Sequence, residues 1–390
     1  MSYHSRVVKR AEELTFDFIV IGGGAIGTAT TYELSKISAN VALIDQFDLN
    51  TAASGRNAGS LHGQIQFEPF EQEGIEWARN FGHGLKILMD SLKLWDTLEA
   101  ELNCDLEVSK NGGLMVAETS ENMHQLEAKV KLENSLGIPS RLIEGDELFE
   151  MAPYISTKML GAAFSPIEGK ASPLLTGPSF AMRAKERGAK VFTNTEVLSI
   201  TKENQIYKVH TNSRTFVAPK IIITANANIP KLFESFNLDV PISDAPVQVS
   251  VSEQVKHFID YLIYFTTEKL TLKQAKSGSL LIGGGWPARY DFEGQPVMNP
   301  DSLRANLRVA MKVVPSIANI NIIRTWVGVG NGTPDHNPII DEVPGYPGCY
   351  VGMYPYMGFT ASPLMGKLIS ELAVTGKCER DIKPFSLTRF

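Results

Sequence analysis

A chain of 390 residues with 43% hydrophobic and 21% charged residues is long enough for two domains sharing a substantial core. Its net charge of −6, without any long basic run, excludes nucleic acid as an expected partner, and no apolar run approaches the roughly 20 residues of a transmembrane segment. Arg6, Lys9 and Arg10 precede no apolar segment, so no secretory signal is read, and a cytoplasmic protein is expected, free or peripheral at the inner membrane face.

Residues 1–15 read as a loose polar arm or a partner contact. A strand over 16–21 then runs into Gly22-Gly23-Gly24-Ala25-Ile26-Gly27 and a helix over 25–38, with Ile26, Ala29, Leu34 and Ile37 on its apolar face. In such a G-x-G-x-x-G turn, Gly22 makes the tight turn, Gly24 lets the backbone approach a pyrophosphate, and Gly27 lets helix and strand pack closely. Glycine-rich turns also occur as plain structure. The next strand, 41–45, ends on Asp45, about 20 residues past the glycines, where a dinucleotide fold places a carboxylate on a ribose hydroxyl. Residues 51–66 are small and polar, either a surface loop or a backbone able to wrap a flat ring.

Leu85, Leu88, Leu92, Trp95, Leu98 and Leu102 predict a helix over 84–102. A strand over 113–117, a helix over 120–136 closed by Gly137-Ile138-Pro139, and a short helix over 144–151 follow. Residues 161–176 read as loop and turn. A helix over 175–188 with Pro178 in its first turn and a strand over 190–193 come next. The segments 195–201, 206–211 and 214–218 read as an antiparallel meander, and 221–225 as a strand rejoining the parallel sheet. Strand-like stretches at 245–263 and 279–285 and a helix over 301–314 form a second excursion. The chain closes with a strand over 322–329, a glycine and proline loop over 330–340, a strand over 349–353 and a helix over 360–374. That helix is expected to be capped by Thr360 or Ser362, with Pro363 in its first turn and Gly376 as terminator. Cys104, Cys349 and Cys378 are far apart and odd in number, so no disulfide framework or metal site is read.

A nicotinamide dehydrogenase would show two consecutive mononucleotide halves. One half followed by excursions, a meander and a last helix beginning beside Met357-Gly358-Phe359-Thr360 suits FAD better, because that helix start could stabilise charge at the flavin pyrimidine. Here the chain resembles the FAD-dependent amino-acid oxidoreductases, which include D-amino acid, glycine and sarcosine oxidases. The resemblance is carried by residues 21–27 with Asp45, 54–59, Thr195-Glu196-Val197, 281–285, Thr333-Pro334-Asp335 with Pro338-Ile339-Ile340, and 357–360. Within that family, Ser54-Gly55-Arg56-Asn57-Ala58-Gly59 and Gly283-Gly284-Gly285-Trp286-Pro287 are most similar to the flavin subunits of opine oxidase, hydrogen cyanide synthase and D-hydroxyproline dehydrogenase complexes.

The resemblance implies an α/β fold: a Rossmann-like FAD-binding domain of the glutathione-reductase type over 15–83, 152–244 and 325–390. An interleaved α+β substrate or partner domain on an antiparallel sheet would take 84–151 and 245–324. It implies FAD held non-covalently by Gly22, Gly24, Ile26 and Gly27 at the pyrophosphate, Asp45 at the ribose and the Val197 backbone at adenine. Ser54, Gly55, Asn57, Ala58 and Gly59 would line the flavin, with Gly358, Phe359 and Thr360 at its pyrimidine end. The implied reaction is hydride transfer from an amine-bearing carbon to flavin N5, followed by hydrolysis of the imine. The resemblance further implies an amino acid, opine or other secondary amine as substrate, and a role as catalytic subunit of a hetero-oligomeric dehydrogenase. Any further flavin or iron–sulfur cluster belongs on or with partner electron-transfer subunits. A stand-alone oxidase using oxygen, or a non-catalytic electron-relay subunit, are the alternatives.

Two departures from the family pattern stand out. Gly330 occupies the place of a carboxylate-clamping arginine, and Ala225-Asn226-Ala227-Asn228 replaces a glycine-rich turn. His62, Tyr264 and His336 are the candidate catalytic or pocket residues, with Arg289, Tyr354, Tyr356 and Trp286 as further candidates for the pocket. Each also reads as an ordinary loop or core residue.

Overall fold

The computed structural model describes residues 13–390; the N-terminal arm otherwise lies outside the described residues. Four short strands, buried throughout except at Lys220, supply the centre of a six-stranded sheet: Phe18–Ile21, Val41–Ile44, Lys220–Ile223 and Cys349–Met353. Phe18–Ile21 lies between Val41–Ile44 and Lys220–Ile223, in parallel with both, and only the edge strand Ile339–Glu342 runs antiparallel. Runs such as Ile-Ile-Ile at 221–223 suit such a sheet because both faces are covered. On one face lie Ala25–Ser35 and Gly358–Thr375, which approach closely: a Cβ on Gly366 would stand 2.7 Å from Ala29. The other face packs against the meander, where Tyr207, Val209 and Phe216 are buried.

The predicted helix over 25–38 stops at Ser35, leaving Ile37 exposed at 61%. The helix expected over 84–102 is the second half of Phe67–Leu102, broken only at Gly74 with φ 79°. The closing helix starts at Gly358 with Met357 at its N-cap, so neither Thr360 nor Ser362 caps it. Pro178 likewise lies inside Pro173–Glu186 rather than in its first turn. Glu13–Thr15, read as part of the arm, adds a parallel strand to the meander at Thr215–Ala218.

The second sheet has eight strands in the spatial order 322–332, 243–254, 279–283, 271–274, 262–265, 113–117, 161–165, 141–144. All neighbours are antiparallel except Leu262–Phe265 with Gly113–Ala117. The stretch 161–176, expected as loop and turn, contributes the strand Gly161–Ser165 to this sheet. Side-chain alternation sends Leu114, Val116, Ile263 and Leu272 to one face, against Val309, Ala310 and Val313 of Pro300–Val313. Met115, Tyr264 and Lys273 project from the opposite face, because Tyr264 pairs with Met115 and with Thr271, two residues before Lys273.

Candidate functional site

The carboxyl ends of the parallel strands open on a cleft of about 750 Å³, the place where open α/β sheets bind ligands. Gly22, Gly24 and Ile26 line it after the first strand, Asp45 after the second, and Thr224 to Asn228 after the third. Val197, Thr195 and Glu196 form one end. Ser54, Asn57, Gly358 and Phe359 approach from other elements.

Each glycine of the turn has a different constraint. Gly22 has φ 110°, and a Cβ there would stand 2.7 Å from the Thr224 carbonyl oxygen. A Cβ on Gly27 would stand 1.8 Å from the Gly22 carbonyl oxygen, so helix and strand touch through backbone. Gly24 meets only the Ser54 hydroxyl, at 2.9 Å, and its backbone faces the cleft. Ser54 Oγ also accepts the Ala25 N–H at 2.9 Å, which fastens the 53–56 turn to the helix start.

Asp45 accepts the N–H of Gly23 at 2.6 Å and of Phe47 at 2.8 Å. Burial raises its carboxyl above the ordinary range, with both hydrogen bonds opposing the shift. Gly55 and Gly59 answer to packing, since their Cβ atoms would strike the Asn50 and Ala171 carbonyl oxygens at 1.9 and 2.2 Å. Gly27, Gly55, Ala58, Gly59 and Thr360 lie outside the lining of the cleft.

The residues fit an extended dinucleotide. Two helix N-termini, at Ala25 and Gly358, converge on one cleft, and such ends favour negative charge. A cradle that a side chain would fill is also present, since a Cβ on Gly24 would stand against the Ser54 hydroxyl of the cleft lining. The two departures from the family pattern meet here, because Asn226 Nδ2 donates to Asn331 Oδ1 at 2.6 Å, beside Gly330.

His62 and Tyr264 lie outside the lining of the cleft, and His62 is tied to Thr360, the residue after the lining residue Phe359. The His62 N–H donates to Thr360 Oγ1, which in turn donates to the Ser60 carbonyl. His62 Nδ1 and the Tyr264 hydroxyl are 2.9 Å apart, and that hydroxyl is 3.0 Å from Glu168 Oε1. Burial, with Lys273 nearby, pushes the His62 imidazolium down to about 3 and keeps the ring neutral. His336 is placed apart from this pair, edge-on to Trp77 and Tyr356 at 5.5 and 5.7 Å. Of the other candidates, Tyr354 and Tyr356 line the cleft, Arg289 is exposed, and Trp286 Nε1 donates to the Lys269 carbonyl.

Sequence reasoning missed Glu168 and Lys273. Glu168 follows a proline in a stretch read as turn, and only its long-range bonds to Gly63, Gln64 and Tyr264 reveal it. Lys273 stands in Thr271–Gln274, 1% exposed, with its ammonium on Ser60 Oγ at 2.7 Å. Burial, and secondarily Lys170, push it down to about 7.

The sign of the pH effect follows. Below pH 7 the folded and unfolded chains both hold the Lys273 proton; between about 7 and the ordinary lysine range near 10.4 only the unfolded chain does. The unfolded state binds more protons there, so stability rises with pH across that window. Lys273→Met is therefore expected to be more stable than the parent below pH 7, with the gap shrinking on the order of 4 kcal/mol towards pH 10. Denaturant midpoints at pH 6 and pH 9.5 check this, and a gap independent of pH would refute it.

Residues 17–372 match the family described as FAD dependent oxidoreductase. The chain is 25% identical over 386 residues to sarcosine oxidase subunit beta of Arthrobacter sp, covering 96% of this chain and 91% of that one. It is 28% identical over 390 residues to monomeric sarcosine oxidase of Bacillus sp. (strain B-0618), covering 96% of each. Among solved structures, L-proline dehydrogenase from P.horikoshii superposes with a TM-score of 0.86 at 23% identity, covering 97% of this chain and 98% of that one. No helix among the described residues is long and apolar enough to cross a membrane.

Proposed function

The chain belongs to the FAD dependent oxidoreductase family, and from that premise we propose that it oxidises a secondary-amine amino acid as the catalytic subunit of a hetero-oligomeric dehydrogenase. Its class is that of FAD-dependent amine and amino-acid oxidoreductases. The observation that carries the reading is the single cleft on which the Gly22 turn and the Gly358 helix start converge. The chemistry FAD supplies when bound is acceptance of a hydride equivalent from the amine-bearing carbon.

Gly22, Gly24 and Ile26 hold the pyrophosphate, Asp45 the ribose and Val197 the adenine. Gly27 sets the helix against the strand behind them. Gly358 and Phe359 bring a helix start to the flavin pyrimidine, with Thr360 tying that end to Ser60 and His62. Sarcosine, named in two of the relatives, is a secondary amine. The glycine at 330 supports a substrate bulkier than sarcosine, of opine or proline-like shape, because no guanidinium stands there to clamp a small amino acid's carboxylate. The subunit nature of the Arthrobacter relative supports a partner subunit.

An anaerobic screen of D-amino acids, sarcosine, proline analogues and opines tests the reading, on the complex recovered with this chain. Bleaching of the flavin by a secondary amine, with dye-linked turnover and little peroxide, is expected. Failure of every amine to bleach it overturns the proposal. The monomeric relative favours a second reading, a stand-alone oxidase, which predicts peroxide from this chain alone.

Gly330→Arg probes the departure directly. A Cβ at Gly330 would meet Ala245 and Tyr356 atoms only at 3.5 Å, ordinary contact distance, so the backbone does not require glycine. The variant is expected to keep its flavin and melting temperature and to lower KM for small amino acids about tenfold, as a charge-assisted hydrogen bond would. An unchanged KM, measured by steady-state kinetics, would separate residue 330 from substrate choice.

A further inference from the structure

Behind His62 lies a buried chain of polar side chains whose direction can be worked out link by link. It begins at Lys129, fully buried on Ser120–Ser135 and ion-paired with Glu133 at 2.6 Å. An ammonium can only donate, so its second contact, 3.0 Å to the Gln64 side chain, is to the amide oxygen. The Gln64 NH₂ therefore faces Glu168 and donates to Oε2 at 2.7 Å. The other carboxylate oxygen, Oε1, already accepts the N–H of Gly63 at 2.6 Å and of Gln64 at 3.0 Å.

An oxygen receiving two fixed N–H groups is an acceptor towards its third neighbour, so the Tyr264 hydroxyl donates to Oε1. Burial and Glu168 hold the Tyr264 hydroxyl well above its ordinary range, and it keeps that one proton. With the proton spent on Glu168, the hydroxyl oxygen can only accept from His62. His62 Nδ1 must carry the hydrogen, which leaves the lone pair of the neutral ring on Nε2.

We propose that the chain Lys129–Gln64–Glu168–Tyr264 fixes His62 as the Nδ1–H tautomer, making Nε2 the acceptor that orients the N–H of a secondary-amine substrate. The proposal rests on the functional reading above and names the group that meets the amine. His62 is half-buried, and no protein donor among the described residues meets Nε2. Its loop follows the Asn57 turn that lines the cleft, and its own N–H is tied to the first turn of the closing helix. A neutral secondary amine has one N–H and one lone pair. Giving the N–H to Nε2 leaves the nitrogen lone pair free to stabilise the carbon as its hydride departs. His62 is the candidate catalytic group, while Tyr264, Glu168, Gln64 and Lys129 act through it as positioning residues.

Nitrogen NMR of the full chain, labelled at histidine and recorded with and without FAD, reads the tautomer directly, with His62→Asn identifying the signal. The expected result is a protonated Nδ1 and an unprotonated Nε2 in the parent. In Tyr264→Phe, which keeps the ring and removes the hydroxyl, the signal should move towards the ordinary Nε2–H form. A parent His62 protonated at Nε2, or a tautomer unmoved in Tyr264→Phe, overturns the proposal. Two planar probes of one shape test the acceptor role on the holoenzyme: pyrrole-2-carboxylate, with an N–H, and furan-2-carboxylate, without one. Tighter binding of the pyrrole by about fivefold to tenfold is expected, falling to parity in Tyr264→Phe. Equal affinity in the parent overturns the acceptor role. The tautomer measurement needs no turnover, so its failure is separable from failure of the amine screen.

Discussion

Gly27→Ala is expected to purify with less than about a tenth of the parent's FAD, and with a lower melting temperature even when compared as apoprotein. The added Cβ would stand 1.8 Å from the Gly22 carbonyl oxygen and 2.6 Å from Thr224 Oγ1. The first contact is backbone, and it lies in the turn whose shape makes the cradle, so the helix must be pushed off the strand to admit it. Overpacking with mobile neighbours costs about 1–3 kcal/mol, and a rigid carbonyl puts this case at the upper end or beyond. Gly24→Ala separates folding from binding. Its Cβ meets only the Ser54 hydroxyl, which can turn away at the cost of the bond it accepts from the Ala25 N–H. That variant should lower the apoprotein's melting temperature less than Gly27→Ala does and lose flavin because its methyl group enters the cleft. The ratio of flavin to protein absorbance, with melting curves of both apoproteins, decides the matter. Full occupancy in Gly27→Ala would remove the turn from the cofactor site.

The same turn shows why part of the molecule is legible in its sequence. Residues 18–21, 41–44, 220–223 and 349–353 are short apolar runs in a sheet covered on both faces, where the pattern needs no long-range information. The glycine spacing reports on the turn itself, where Gly27 meets the Gly22 carbonyl, and Asp45 follows from the βαβ unit alone, whereas the Gly22 contact with Thr224 is long-range. Gly161–Ser165 escapes that reading because Gly-Ala-Ala-Phe-Ser is too small to look like a strand. The glycine at its start is imposed by the neighbouring strand, because a Cβ on Gly161 would stand 2.3 Å from the Ile143 carbonyl oxygen. Lys273 escapes for a related reason: alternation within Leu-Thr-Leu-Lys-Gln sends a lysine to the face opposite Leu272, and a reader assumes that face is wet. In this fold it is covered, and the lysine's partner is Ser60, over 200 residues away. The local role of Thr360 also escapes the sequence, since its hydroxyl bridges to Ser60 and His62 rather than capping its own helix.

Lys129→Met should destabilise the chain by about 3–5 kcal/mol, the range for removing one member of a buried ion pair. Both partners are fully buried, and the Glu133 carboxylate also accepts the Ile65 N–H at 2.8 Å. Without the ammonium, Glu133 would remain as an uncompensated charge beneath the loop that carries His62, and one of its oxygens already has no partner. Lys129→Met with Glu133→Leu removes the stranded charge and should recover part of that loss, although Ile65 N–H and the Gln64 amide oxygen are then left unpaired. Denaturant unfolding of the parent, the two single variants and the double variant gives the coupling between the pair. A coupling below about 1 kcal/mol would mean that the pair is only tolerated at this position. A large one makes Lys129 the origin of the polarity that runs through Gln64 and Glu168, because no other buried cation contacts Gln64 among the described residues.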